Sequence, residues 1–151
     1  MDDRTALDGL KPMNKTLPIL LARARETLLS YWRPKLTEMG FTEQQWRVLR
    51  VVAEHKRIDI STLSEETAMH MPSVTRILQT LEQNGLVERT RDEEDSRRSW
   101  VRATQKTFDV LASCVETSNE IYAGIEKKFD NKKMAQLLTL LREFSDVRTG
   151  S

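Results

Sequence analysis

Apolar residues recur at three- and four-residue steps through most of the chain, and this spacing changes only once. Leu17, Leu21, Ala24, Leu28, Tyr31 and Met39 follow it and predict a helix over 19–39. Pro34 falls inside that helix and should kink or split it, and Gly40 ends it. Thr42-Glu43-Gln44-Gln45 has capping-box spacing: the Thr42 hydroxyl accepts from the Gln45 amide and the Gln45 side chain returns the bond. Behind it Trp46, Leu49, Val52 and Ala53 form one apolar stripe. Ile58-Asp59-Ile60 is long enough only for a stub of strand. Ser61 or Thr62 is expected to cap the next helix, a short one ending near Ala68. Pro72 suits the first turn of a further helix, whose buried face is Val74, Ile77, Leu78 and Leu81. Asn84-Gly85 closes it, with Gly85 in the left-handed cap and Leu86 packing back.

From Leu86 to Thr104 the period shortens. Residues 86–91 and 98–103 read as two short strands joined by the charged stretch 92–97, a β-hairpin without an Asn-Gly turn. Helical spacing then returns. Phe108, Leu111, Val115, Ser118, Tyr122, Ile125 and Phe129 alternate without a break. After a cap at Asp130, Met134, Leu137, Leu138, Leu141 and Phe144 do the same. These stripes are long and narrow for a chain of 151 residues, and such seams face other helices. A second copy of the chain is the expected partner, giving a homodimer.

Composition narrows the class. The mean hydropathy of −0.54 is too apolar for disorder and rather polar for a self-contained monomer. With 24 Lys and Arg against 23 Asp and Glu, neither a histone-like basic protein nor an acidic tail protein fits. No apolar run can span a bilayer. Asp2, Asp3, Asp8, Pro12 and Pro18 in an N-terminal segment without an apolar block argue against a secretory signal, so a cytoplasmic location is expected. The single cysteine, Cys114, excludes an internal disulfide framework, and with only His55 and His70 beside it a zinc site is poorly supplied. No cofactor or metal is expected.

Two short helices around a tight turn, followed by a hairpin with arginines at its tip, make a winged helix-turn-helix. At this point the residues resemble the MarR family of bacterial transcriptional regulators. Gly85-Leu86-Val87-Glu88-Arg89 is similar to the family's G-L-V-x-R, and 91–98 to its R-D-x-x-D-x-R wing signature. Thr104 stands where the family places a threonine before its long dimer helix. The resemblance covers roughly residues 17–147. It departs at Thr107, where the family has Gly, and at Glu93, where it has Pro; both read as loop-level changes. Residues 24–26, 30–34 and 42–47 resemble the branch that represses operons for homoprotocatechuate and related aromatic acids, which implies an aromatic carboxylate as effector. The implied fold is mainly α with a small β-hairpin: a mobile arm at 1–16, dimerisation helices at 17–40 and 105–147, and a winged-helix DNA-binding domain at 41–104.

A major groove about 12 Å wide admits one helix. The exposed face of the 72–84 helix offers Ser73, Thr75, Arg76, Gln79 and Thr80, with Arg76 suited to guanine and Gln79 to adenine. Ser61 and Thr62 at a helix N-terminus can hold a phosphate. The wing signature adds Arg91, Asp95, Arg97 and Arg98. Arg97 is the candidate for minor-groove insertion, with Asp95 pinning Arg97 or Arg98 in one rotamer. A symmetric dimer would set two such heads on half-sites of a palindromic operator about 10 bp apart. The charge balance fits least well: residues 56–84 hold three basic and four acidic residues, and 85–104 five of each.

An effector pocket is expected between the dimer helices and the DNA-binding lobe, walled by Arg23, Arg25, Tyr31, Trp32, Trp46 and Arg50. Arg25 is the candidate carboxylate anchor. Trp32 and Trp46 read first as core residues and second as ligand walls, and Arg25 reads equally as a surface ion-pair residue. Cys114 reads as an inert buried thiol, and the 69–71 Met-His-Met triplet as turn packing. The rival functional classes are a winged-helix protein-interaction module and a regulator without a ligand. Nothing in the chain supports an enzyme: there is no phosphate loop, nucleophile elbow or His-centred triad.

Overall fold

The computed structural model describes residues 9–95 and 97–147. Residues 1–8 of the expected arm lie outside the described residues; the rest of it contains a 3-10 turn, Met13–Lys15. The chain divides into two units at Arg47/Val48. The first holds α1 (Leu17–Glu38) and the start of α2 (Glu43–Glu54). The second holds the rest of α2, β1 (Ile58–Asp59), α3 (Ile60–Thr67), α4 (Met71–Gln83), β2 (Val87–Arg91), β3 (Ser99–Ala103), α5 (Gln105–Ala112), α6 (Val115–Phe129) and α7 (Asn131–Ser145).

Pro34 does not split α1, which runs unbroken through it. Arg33 pairs with Glu26 at 2.7 Å across the two preceding turns, and the flanking ladder carries the helix past the one missing donor. Gly40, at φ +75°, ends it. The capping box of α2 forms as expected, with Thr42 N donating to Gln45 Oε1 at 2.9 Å and Gln45 N to Thr42 Oγ1 at 3.1 Å.

In the second unit Val48, Leu49 and Val52 of α2 are buried together with Leu63, Val74, Leu78 and Leu81 of α3 and α4. Ile58, Val87 and Val101 bring the inner face of the sheet to that core. The stub at 58–60 proves to be a third strand, and the antiparallel order is β1-β3-β2. Its register places Ile58 opposite Val101, Asp59 opposite Trp100 and Thr90 opposite Trp100. That pairing fixes where α3 begins. The cap is Asp59, not Ser61 or Thr62: its carboxylate accepts from Thr62 N at 3.0 Å and from the Thr62 hydroxyl at 2.9 Å. Ala68 makes the turn to α4 in the left-handed region, at φ +51°.

α4 closes as the sequence predicts. Gly85 sits at φ +71°, its amide donates to Glu82 O at 2.9 Å, and Leu86 N donates to Leu81 O at 2.9 Å. Thr107 is not in a loop. It is buried within α5 and its hydroxyl donates to Leu86 O. The helical run expected to continue unbroken to Phe129 breaks at Ser113–Cys114. Ser113 Oγ donates to Val110 O at 2.7 Å and Cys114 Sγ to the same oxygen at 3.3 Å, so the Cys114 amide shifts to Leu111 O at 3.0 Å. Side chains have taken the carbonyl that the helical ladder needs. Asp130 caps α7 by accepting from Lys132 N and Lys133 N at 2.9 and 3.2 Å. No described residue of α6 or α7 is buried, and Val115, Tyr122, Leu138, Leu140 and Phe144 lie exposed.

Candidate nucleic-acid interface

The buried line of α4 is Val74, Leu78 and Leu81. At about 100° per residue the side opposite that line is occupied by Arg76, Gln79 and Gln83, with Thr75 and Ser73 on its two flanks. All five are exposed. Thr80 is half-buried and back-bonds to Arg76 O at 3.4 Å. Long polar side chains with paired donors therefore occupy the solvent face of a 13-residue helix, as major-groove reading requires.

The wing is built around Asp92. One carboxylate oxygen accepts from the amides of Glu94 and Asp95 at 2.9 and 3.1 Å, and the other from Trp100 Nε1 at 2.6 Å. The indole, and then those amides, hold the Asp92 carboxyl below the usual carboxylate range. Arg98 N donates to Asp95 O at 2.9 Å and Asp92 N to Arg98 O at 2.9 Å, which closes the loop. Arg98 also reaches Asp59 at 3.7 Å. The Thr62 amide holds the Asp59 carboxyl low, with the Thr62 hydroxyl and Arg98 acting in the same direction. A cleft of about 310 Å³ results, lined by Asp59, Ser61, Met71, Asp95, Arg97 and Arg98. It joins the start of α3 and the start of α4 to the wing.

These bonds take up part of the acidic charge. Glu82 is taken by Arg89, whose Nε donates to it at 2.8 Å and holds its carboxyl low. Glu88 is taken by Arg102 at 2.6 Å, and Asp59 and Asp92 by the contacts above. Arg76, Arg91 and Arg97 form no ion pair among the described residues, and all three are exposed. Asp59, Glu82, Glu88 and Asp92 are engaged within the fold, whereas Glu93 and Glu94 of the wing are exposed and form no ion pair among the described residues.

The structure brings Ser61, Asp95, Arg97 and Arg98 to one cleft and places Ser73, Thr75, Arg76 and Gln79 on one helix face. Two expectations need correction. Thr62 is not open to a phosphate, since its amide and hydroxyl are both committed to Asp59; at that helix start Ser61 is the exposed residue. The Asp95 carboxylate does not pin an arginine side chain: it accepts from the Arg97 backbone amide at 3.0 Å and shapes the loop that carries Arg97. Arg91 lies with Glu82, Arg89 and Ser99 along a second cleft. Sequence reasoning missed Asp59, Asp92 and Trp100. An aspartate before a helix start and an aspartate leading a turn were the available signals; nothing local announces Trp100.

In the first unit, Trp32, Phe41 and Trp46 form a half-buried aromatic cluster, with ring centroids 6.4 Å apart for Trp32–Trp46 and 6.0 Å for Phe41–Trp46. Tyr31 is half-buried and Arg23 exposed. Arg25 donates to Glu43 Oε2 at 2.6 Å, and Arg47 shares that oxygen at 3.0 Å. In the second unit Arg50 pairs with Glu54 at 3.0 Å. Among the described residues no group of His, Cys, Asp and Glu could hold a metal ion, and no helix is long and apolar enough to cross a membrane.

Helices α3 and α4 about a tight turn, with the β2–β3 wing beside them, define a winged helix-turn-helix. The MarR family pattern matches residues 41–99. The chain is 36% identical over 132 residues to the homoprotocatechuate degradative operon repressor of Escherichia coli, covering 87% of this chain and 89% of that one. Among solved structures it resembles the transcriptional regulator PA4135, with a TM-score of 0.85 and 34% identity over 92% of this chain and all of that one. It also resembles NadR in complex with 4-hydroxyphenylacetate, with a TM-score of 0.80 and 33% identity over 91% and 98% of the two chains. The chain belongs to the MarR family and is a MarR-type transcriptional regulator.

Proposed function

We propose that the protein is a homodimeric, cytoplasmic repressor of an aromatic-acid catabolic operon, released from a palindromic operator by an aromatic carboxylate. The observation that carries the DNA-binding half is the outward row Arg76, Gln79 and Gln83 on α4 beside a wing whose loop Asp92 holds in shape and which presents Arg97. Arg76 and Gln79 read base edges in the major groove, and Ser73, Thr75, Thr80, Ser61, Arg91 and Arg98 contact the backbone. Arg97 enters the minor groove on a loop shaped by Asp92 and Asp95. Residues 41–104 form the reading domain. The helices at 17–40 and 105–147 dimerise through the apolar side chains left open on α6 and α7.

The effector half rests on Arg25, Trp32 and Trp46 and on the repressor and NadR relatives. Glu43 engages one nitrogen of Arg25, and a guanidinium carries five donors, so a ligand carboxylate binds Arg25 without displacing Glu43. Tilted indoles 6.4 Å apart offer flat walls to a ring; Arg23 and Tyr31 complete the proposed set. Binding acts by favouring a dimer whose reading heads no longer match the operator.

The test is fluorescence anisotropy with a labelled fragment from directly upstream of the protein's own coding sequence, across a salt series, with and without 4-hydroxyphenylacetate. Tight, steeply salt-dependent binding that the acid relieves is expected. Binding with no steep salt dependence points to a protein-interaction module, and salt-dependent binding that no aromatic acid relieves points to a regulator without this ligand.

A further inference from the structure

Arg57 lies outside the recognition helix and the wing, just before β1. Asp59 is paired with Trp100 and Ile58 with Val101, and the latter two are buried. Arg57, one residue earlier, therefore falls on the solvent face of the sheet with Asp59 and Trp100. It is exposed, and its guanidinium carbon stands 4.3 Å from the Trp100 ring centroid. Arg98 approaches the same ring at 5.0 Å. Of the neighbouring arginines, Arg89 has Glu82, Arg102 has Glu88 and Arg98 has Asp59, while Arg91 is without an ion pair among the described residues. Arg57 forms no ion pair among the described residues.

Two guanidiniums on one ring are closer together than the screening length of about 10 Å in 0.1 M salt, so they repel. The indole offsets part of that repulsion through its negative face and limits the rotamers of Arg57. Asp59, 3.7 Å from Arg98, offsets more of it, and Arg57 has no carboxylate of its own among the described residues, so an external anion would relieve what is left. Arg98 also lines the cleft shared with Ser61 and Arg97, so the Trp100 ring links Arg57 to a residue of that cleft. The anion of matching reach is the backbone of a duplex, which presents one charge per about 1.7 Å of its axis.

We propose that Arg57 is a phosphate-contacting residue, held ready on Trp100, which extends the interface past the wing onto the outer face of the sheet. The proposal rests on the DNA-binding reading above. A backbone contact carries no sequence information and contributes mainly through counterion release.

The experiment measures affinity as a function of salt for the full-length protein, using the upstream fragment and a scrambled fragment of equal length. Arg57→Gln is compared with wild type and with Arg102→Gln, a neighbouring arginine whose charge is already paired. Arg57→Gln is expected to weaken both fragments by the same factor. It should also lower the slope of log K against log salt by about 0.9 for each phosphate that is no longer neutralised. Arg102→Gln should keep the wild-type slope, and circular dichroism should show all three proteins folded. A wild-type slope in Arg57→Gln overturns the proposal, as does an equal drop in Arg102→Gln. Absence of steep salt dependence in the wild type removes the DNA-binding reading itself, a result distinct from either.

Discussion

The buried Thr107 hydroxyl gives a sharp quantitative test. Leu86 O accepts from Thr104 N at 3.0 Å, from Thr104 Oγ1 at 3.1 Å and from Thr107 Oγ1. A carbonyl has two lone pairs, so this acceptor has more donors than it needs. Thr107→Val removes one donor with little change of shape and leaves no orphaned acceptor. The expected cost is the net value of one hydrogen bond, about 1 kcal/mol. Thr104→Val removes the other hydroxyl, whose single proton is shared between Leu86 O and the nearer Gly85 O at 2.8 Å. Gly85 is exposed, so water replaces that bond, and the expected cost is again about 1 kcal/mol. The double variant differs in kind, because Leu86 O keeps only one partner in a buried setting. It should lose about 1 kcal/mol more than the sum of the single changes. Urea unfolding at one fixed protein concentration measures all three, which matters because a dimer's apparent stability varies with concentration. A Thr107→Val loss above about 3 kcal/mol, or a strictly additive double variant, would refute the assignment of Leu86 O as an over-supplied acceptor.

Other expectations follow from single positions. Ala68→Gly relieves a left-handed alanine in the turn between α3 and α4 and should stabilise the protein by about 0.5–1 kcal/mol, read as a higher urea midpoint. The carboxyls of Asp59, Glu82 and Asp92 are all held low in the folded state. Their contribution is therefore complete above the ordinary carboxylate range and is lost as pH falls through and below about 4. Asp59→Asn keeps an effective cap on α3, so it should flatten this acid limb while changing neutral-pH helicity little; an unchanged acid limb would count against Asp59. Arg97→Ala should weaken binding to an A·T-rich fragment more than to a G·C-rich one in the same anisotropy assay; equal losses would remove the minor-groove role. Leu138→Glu, at a side chain 47% exposed in the protomer, should shift the dimer toward monomer in sedimentation without unfolding it; an unchanged dimer would move the interface elsewhere.

Features set by neighbours along the chain were legible in the sequence. Thr42 and Gln45 cap each other over three residues, and Gly85 takes its left-handed cap where the helical period stops. The exposed face of α4 follows from Val74, Leu78 and Leu81 alone. Features set by distant pairing were not. Asp59, Ser61 and Thr62 can all cap a helix, and the choice falls to Asp59 because Ile58 and Asp59 pair with Val101 and Trp100 some forty residues on. Trp100 gathers Arg57, Asp92 and Arg98 from three segments, which no local spacing reveals. At Ser113–Cys114 the apolar period continues unbroken while two polar side chains take Val110 O from the backbone, so periodicity alone reads through the break.

The sheet also bears on how copies of this chain meet. β2 is an outer strand, and outer strands invite another chain to add on through unused amides and carbonyls. Here that strand carries Glu88, Arg89 and Arg91 within five residues, and the opposite outer strand is two residues long. Neither makes a good template for strand addition. With most of the exposed large apolar side chains carried on helices, strand addition is the less favoured way for copies of this chain to meet.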